Sequence, residues 1–595
     1  MITKAYIYNK VKTAVRTLAY ALLAPLFLVS CIDTIILPDD KTVDEDFWQT
    51  KEDVASMVNA AYAAMADNDL LARFIVWGDF RSDELVRSEG TKTSATTNAL
   101  DEIATVNTQT TNTFASWAKL YSVVNRCNIV LERAEAVQSI DPNYTQSDYL
   151  TDRSQMLALR ALCYFYLVRN FRDVPYVTEA YMNSSQNMQV AQSAPADVLA
   201  RCIADLEEAT KSAIAARGYS VGDWERVGWM TDDAIKSLLA DIYLWRASVT
   251  HSQADYQQCI DYCDQVIDSK RSQHVRGRNE VVDQEYPLAS ANEMYYDLFY
   301  VQNAEESIFE IQSRSNTAVY QYYYKYENAS GNGGEGWLKA ATMFNSTKST
   351  AAALTENDVF STNDLRYPAS CYGLGSDANG YDIRKLVSES PVISTAPIKN
   401  REANTDGNFN RNYNVYRLTD IMLMKAEAMV QQVDTAAEAS VQAEQLRAAF
   451  NLVQAVNTRS LYVSNLADSM KWTSFSALGK DGMEKLVMQE RLREFCFEGR
   501  RWYDLLRYNY RHVEGVDYTR TMVQAVDAGE SLAKNYDEML KLMARSRGGN
   551  ADGVKAKMIN EAYLYMPVIN SDIIVCPLLR QNPAYKDTNE YEKSY

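Results

Sequence analysis

Apolar positions recur at helical spacing over most of the chain. Val54, Met57, Val58, Ala61, Tyr62 and Met65 fall on one face of a 3.6-residue helix. A second long helix is predicted over 117–136. Residues 156–168 are apolar almost all round, which predicts a helix buried on several sides, and Pro175 follows as a stop signal. Pro195-Ala196-Asp197 opens another helix carrying Val198, Cys202, Ile203 and Leu206. Residues 234–247 and 255–267 complete the series. Up to about residue 270 this reads as helix hairpins with short connections, similar to tetratricopeptide arrays but without their strict consensus.

The pattern changes between 271 and 415. Gly, Asn, Ser and Tyr become frequent, and long helical periodicity fades. Ser307-Ile308-Phe309-Glu310-Ile311 predicts a short strand, and 328–336 (NASGNGGEG) predicts a flexible loop. The segment is expected to be a loop-rich insertion on the helical scaffold. Helices are predicted again over 416–430, 436–456 and 483–508. The tail over 563–585 holds Pro567, Pro577 and Pro583 and is expected to run extended around the body.

The start of the chain is a separate unit. Lys4, Lys10, Lys12 and Arg16 precede an apolar run over 18–29, broken only by Tyr20 and Pro25. That run is shorter than the ~20 residues a bilayer requires and suits a secretory signal. Leu28-Val29-Ser30-Cys31 fits a bacterial lipoprotein cleavage site, which makes Cys31 the expected lipidated residue; the alternative is a plain signal peptide with an incidental cysteine. The expected organisation is a signal peptide over 1–30, a tether over 31–46, a helical region over 47–270, the insertion over 271–415, and a helical region with its tail over 416–595.

Composition narrows the function classes. A net charge of −18 argues against nucleic acid as a partner. No CxxC pair appears among the cysteines, and with only three histidines a histidine-based metal or catalytic site has little material. HExxH, GxSxG and P-loop motifs are missing, so no cofactor is expected and the reading is non-enzymatic. Tyrosine is abundant, 40 against 16 Phe, and its apolar body with a polar tip suits wet recognition surfaces.

Recognition of a small polar ligand with an apolar face needs aromatic platforms together with hydrogen-bonding side chains. Three stretches supply both. The first is Asp67, Asn68 and Asp69 with Arg73 and Trp77; its alternative is a polar helix connection with Trp77 in the core. The second is Tyr296, Tyr320, Tyr322, Tyr323, Tyr324 and Tyr326, leading into Trp337; its alternative is a strand packed on both faces. The third is Tyr372 with Tyr381. Residues 376–382 resemble part of a calcium loop without its closing Glu, or a plain Asn-Gly turn. Asp79 and Glu84 can be cast as the carboxylate pair of a glycosidase, or with Arg81 and Asp83 as a salt-bridged turn. Arg491, Arg493, Glu494, Glu498, Arg500 and Arg501 read as structural ion pairs.

Several blocks carry a family resemblance. Asp46-Phe47-Trp48-Gln49-Thr50 and Gly78-Asp79-Phe80-Arg81-Ser82-Asp83-Glu84 come first. Arg160-Ala161-Leu162-Cys163-Tyr164-Phe165 with Phe171-Arg172-Asp173-Val174-Pro175 follows, then Arg417-Leu418-Thr419-Asp420. Phe497-Glu498-Gly499-Arg500-Arg501-Trp502 and Gln581-Asn582-Pro583-Ala584-Tyr585 close the series. In this order the blocks resemble SusD/RagB-like outer-membrane lipoproteins. Arg172 departs from the pattern, which usually has Gly there. The resemblance implies an all-α superhelix with a loop-rich ligand face. It also implies a non-catalytic, surface-exposed lipoprotein acting as the lid of a SusC/RagA-like TonB-dependent transporter. The cargo would be oligosaccharide or, as in the RagB branch, oligopeptide, and family ligand sites often draw on the loop at 67–69.

Overall fold

The structure, a computed structural model, describes residues 47–585 apart from 89–93, 184, 275–285, 290, 315, 324–335, 345–357, 373–381, 384, 387–410, 462, 545 and 547–549. Twelve helices build the scaffold around the candidate site. They are α1 (Lys51–Met65), α2 (Asn68–Ile75), α3 (Ala118–Val137), α4 (Gln146–Phe171), α5 (Pro195–Ala209), α6 (Asp232–Thr250), α7 (Gln253–Gln273), α8 (Thr317–Tyr323), α9 (Leu418–Gln431), α10 (Ala439–Arg459), α11 (Gly479–Phe495) and α12 (Arg501–Arg511). Local sequence sets the starts. Thr50 with Asp53, and Thr145 with Asp148, form capping boxes that satisfy free N–H groups at the first turns of α1 and α4. Pro195 opens α5, where its missing N–H costs nothing.

Sequential helices pack in antiparallel pairs. α3 lies between α1 and α4, α4 packs on α5, α6 on α7, and α9 joins α7 to α10 and α11. The fold is an all-α, tetratricopeptide-like stack, and α4 is its centre, with every residue from Ser154 to Phe171 buried. Among the described residues no helix is long and apolar enough to cross a membrane.

The strands are short and occur in pairs. β1 (Leu85–Arg87), β2 (Val174–Pro175), β3 (Gln192–Ser193), β4 (Ser307–Ile311), β5 (Leu338–Ala340), β6 (Cys371–Tyr372), β7 (Asp382–Ile383) and β8 (Tyr413–Arg417) pair as β1–β5, β2–β3, β4–β8 and β6–β7, all antiparallel. β4 is the strand predicted from sequence; β4–β8 closes the segment between α7 and α9 on itself, and β1–β5 ties it to the chain after α2.

Two expectations are corrected, and one alternative is excluded for the described residues. The helix predicted over 483–508 is two helices, α11 and α12, separated by a turn in which Phe497 and Gly499 have φ of 65° and 76°. This turn meets the chain at Gly78 so closely that a Cβ on Gly78 would lie 2.0 Å from the Gly499 carbonyl oxygen. Of the tyrosine run, Tyr320, Tyr322 and Tyr323 lie in the helix α8, so the strand alternative does not hold for them. The tail is not wholly extended, since Asn570–Val575 forms a helix.

Charge is buried at the junction of α11, α12 and β8. Glu494 receives Arg366, Arg417 and Arg459, and Glu427 receives Arg507 and Arg511, all with fully or nearly fully buried side chains. These guanidinium groups hold both carboxyls well below the usual range against the opposing effect of burial. Such networks fix how helices meet, because removing one partner strands a buried charge, at about 3–5 kcal/mol.

Candidate ligand-binding face

Asp67 is the N-cap of α2. Its carboxylate accepts the N–H groups of Asp69 at 2.9 Å and Leu70 at 3.3 Å, and pairs with Lys119 at 3.1 Å. Asn68 Oδ1 accepts the Thr317 N–H at 3.0 Å, which ties the start of α2 to the start of α8. Arg73 donates to the carbonyls of Ser116 at 3.1 Å, Asp69 at 2.8 Å and Thr113 at 2.8 Å. Two of its N–H groups therefore hold the loop before α3, a third bonds back to α2, and two are left over. The Asp69 side chain is exposed.

α8 carries Tyr322 toward the same place. Tyr322 is edge-on to Phe114, with ring centroids 6.4 Å apart, and to Trp337 at 4.9 Å. Trp337 is half-buried. Its N–H donates to the Gln321 carbonyl at 3.1 Å, and its carbonyl accepts the Ser88 N–H at 3.0 Å. Trp337 is thus held through its backbone on two sides and its ring on a third. The structure therefore brings together Asp67, Asn68, Asp69, Arg73, Tyr322 and Trp337 from two stretches far apart in sequence.

Two of the predicted contacts are corrected. Trp77 is fully buried; its Nε1 donates to the Phe114 carbonyl at 2.8 Å and its ring packs against Phe74 and Phe171. Leu70, Phe74 and Trp77 follow helical spacing, so Trp77 ends the core-facing stripe that starts on α2. Tyr322 is 3% exposed and supports the Trp337 ring from beneath. Tyr323 is also buried, and its hydroxyl donates to Asp79 at 3.1 Å.

Tyr296 lies elsewhere. It is half-buried and stacks on Tyr300 at 5.0 Å, and no described contact joins it to Trp337. Tyr324, Tyr326 and Tyr381 lie outside the described residues, as do the side chains of Tyr320 and Tyr372, the calcium-like run except the backbone of Asp382, and Cys31. Among the described residues no group of three His, Cys, Asp or Glu side chains is placed to hold a metal ion. A cleft of about 220 Å³ opens between Phe171, Gln192, Met522, Gln524, Leu578 and Arg580, and none of the predicted ligand residues lines it.

Asp79 and Glu84 are fully buried near each other, and the charge of Asp79 disfavours charge on Glu84. Asp79 accepts the N–H groups of Gly499 at 2.7 Å and Arg500 at 3.1 Å, and Glu84 accepts that of Phe497 at 3.2 Å. Burial raises both carboxyls, Asp79 to about 7. Asp83 pairs with Arg501 at 2.8 Å. The block is a structural latch on the α11–α12 turn, closed off from any substrate.

Sequence reasoning passed over Trp224. It is 42% exposed and lies in a glycine-flanked turn, between Gly222 and Gly228. A Trp beside glycines is the same signal that singled out Trp337.

Two family models cover the chain. The one described as the SusD family matches residues 243–585, more than half of the sequence. The other, described as starch-binding associating with outer membrane, matches residues 37–244. SusD-like protein P38 of Formosa agariphila is 26% identical over 507 residues, covering 81% of this chain and 89% of its own length. A SusD superfamily protein from Bacteroides thetaiotaomicron superimposes with a TM-score of 0.59 at 21% identity, covering 91% of this chain and 99% of that one. Surface glycan-binding protein A from Bacteroides uniformis gives 0.60 at 19% identity, covering 90% and 100%. The structural likenesses carry the fold alone, and the family model carries membership: the chain belongs to the SusD family.

Proposed function

We propose that this protein is a non-catalytic, lipid-anchored outer-membrane protein that captures oligosaccharides at the cell surface and closes over a SusC-like TonB-dependent transporter. The observation that carries the glycan reading is Trp337, a half-buried indole braced edge-on by Tyr322, the tyrosine whose hydroxyl feels the charges of Arg73 and Asp69. A sugar ring stacks its apolar face on such a platform, while its hydroxyls bond to Asp69, to the amide of Asn68 and to the spare N–H groups of Arg73. The lid role and the transporter rest on family membership, and the anchor rests on Cys31. The burial of Asp79 and Glu84 supports binding without hydrolysis.

One observation favours the alternative cargo. Trp77, Tyr322 and Tyr323 are buried, so fewer aromatics face solvent than the sequence promised. Peptides, held largely through their main chains, need fewer such platforms. A glycan array probed with the purified mature protein, beside mass spectrometry of small molecules released from the native transporter complex, separates the two. Array signal for one sugar class supports glycan capture; a blank array with peptides released from the complex replaces it by peptide capture.

A further inference from the structure

Trp224 stands out among the described residues because it is the aromatic side chain among those that are large, apolar and exposed. It is also held firmly. A Cβ on Gly228 would lie 2.8 Å from the Trp224 ring and 2.9 Å from Gln312 Cγ, so the missing side chain lets both groups rest on that backbone. The Trp229 ring lies 5.0 Å from the Trp224 ring, and Tyr62 braces Trp229 edge-on at 4.8 Å. An exposed indole fixed in this way loses little freedom when a ligand covers it.

Side-chain amides sit beside it. Gln312 Nε2 donates to Asn303 Oδ1 at 3.0 Å, and Asn412 Nδ2 donates to Gln312 Oε1 at 3.1 Å and to Glu310 at 2.8 Å. Gln312, Asn303 and Asn412 are half-buried, so their orientation is set while part of each still meets water. The backbone at this point is strained. Gln302 has φ 69° and ψ 176°, a region nearly confined to glycine, and Asn303 has φ 51°. The Asn412 N–H bonded to Gln302 at 2.7 Å and the Asn303 N–H bonded to Glu310 at 3.2 Å hold it there.

We propose that Trp224, Gln312, Asn303 and Asn412 form a second carbohydrate subsite, in which a pyranose ring stacks on the exposed indole and its hydroxyls bond to the preset amides. The proposal rests on the glycan reading above. The two subsites lie on connected chain: Asn316 donates to the Arg411 carbonyl at 2.9 Å, and the next residue, Thr317, donates to Asn68. From Gln312 to Tyr322 the chain spans five extended and five helical steps, at most ~25 Å. One long glycan can therefore engage both platforms, whereas a disaccharide engages one.

Calorimetry on the mature chain tests this, with maltoheptaose, xylohexaose, cellohexaose and mannohexaose as probes and then the disaccharide of whichever binds. Trp224→Ala is expected to weaken the long glycan about tenfold and to leave the disaccharide at Trp337 unchanged. Gln312→Ala should weaken the long glycan by a smaller factor, and Trp224→Phe should restore part of the loss. Unchanged thermal melts establish that the variants fold. If Trp224→Ala binds the long glycan like wild type while Trp337→Ala does not bind, the second subsite is overturned and the glycan reading stands. If wild type binds none of the four probes, both fail together.

Discussion

Arg172 holds a backbone conformation that an L-residue rarely adopts. Its φ is 63° and ψ −71°, and the Asp173 N–H bonds back to the Phe171 carbonyl at 2.8 Å, a γ-turn of the strained hand. The side chain offsets the strain by pairing with Asp173 at 2.8 Å and Glu561 at 3.1 Å in the core. Arg172→Ala keeps the strain and strands two acids, so a loss of about 3–5 kcal/mol is expected in urea unfolding. Arg172→Gly should be milder by about 1–2 kcal/mol, because glycine adopts this φ freely. Equal losses would mean that the turn is not strained. The departure from Gly was visible in the sequence; the partner at Glu561 was not, because it is supplied from far along the chain. The Asp79–Glu84 pair makes a second prediction at this scale. Arg501, Asp83, Tyr323, Tyr413 and Cys496 are charged or titratable groups facing it. Burial raises both carboxyls, so the folded state binds more protons than the unfolded one between the ordinary carboxylate range and about pH 7, and stability falls as pH rises across that window. Glu84→Gln mimics the protonated partner. It should be about 1–3 kcal/mol more stable than wild type at pH 8 and about equal to it at pH 5; a difference independent of pH would refute the raised carboxyls.

At the scale of elements, the contact between the chain at Gly78 and the α11–α12 turn decides the geometry of the site, because Asp79 ties α8, through Tyr323, to the same turn. Gly78→Ala forces a Cβ onto the Gly499 carbonyl, whereas a Cβ on Gly218 meets nothing within 4 Å. Gly78→Ala should cost more than about 4 kcal/mol or give no folded protein, and Gly218→Ala should melt like wild type. Matching melts for the two would contradict the close approach. Helix identity was readable wherever apolar spacing was long, as in α1, α3 and α4. The break in 483–508 was not, because residues on both sides keep helical spacing and only the approach of Gly78 demands the turn. Likewise Trp77 shares its loop's polar neighbourhood in sequence, yet the stripe of Leu70, Phe74 and Trp77 was there to be read.

Over the whole molecule, buried cation–carboxylate pairs join the insertion to the C-terminal helical region, and Arg501–Asp83 and Arg172–Glu561 join that region to the N-terminal one. Arg366 and Arg459 reach Glu494 from the two sides, and Glu498 pairs with Arg417 and Lys385. Glu427, Glu494, Glu498 and Asp504 are all held below the ordinary carboxylate range by these cations. Their contribution is complete above that range and is lost as pH falls through their lowered values, so acid unfolding should set in well below pH 4 and be steep. A gradual loss beginning near pH 5 in a circular dichroism titration would contradict this. Such rigidity suits a protein that presents a preset face and moves as one body. Family and fold were readable because their blocks run the length of the chain; which of the candidate aromatics reach solvent was not, because that is settled by packing between distant segments. The most direct test is calorimetry of the mature protein and its Trp337→Ala variant against matched panels of oligosaccharides and peptides. Saturable heat with one sugar class, lost in Trp337→Ala while the melting temperature holds, is the predicted result. Heat with peptides alone, or sugar binding indifferent to Trp337, would contradict glycan capture at this face.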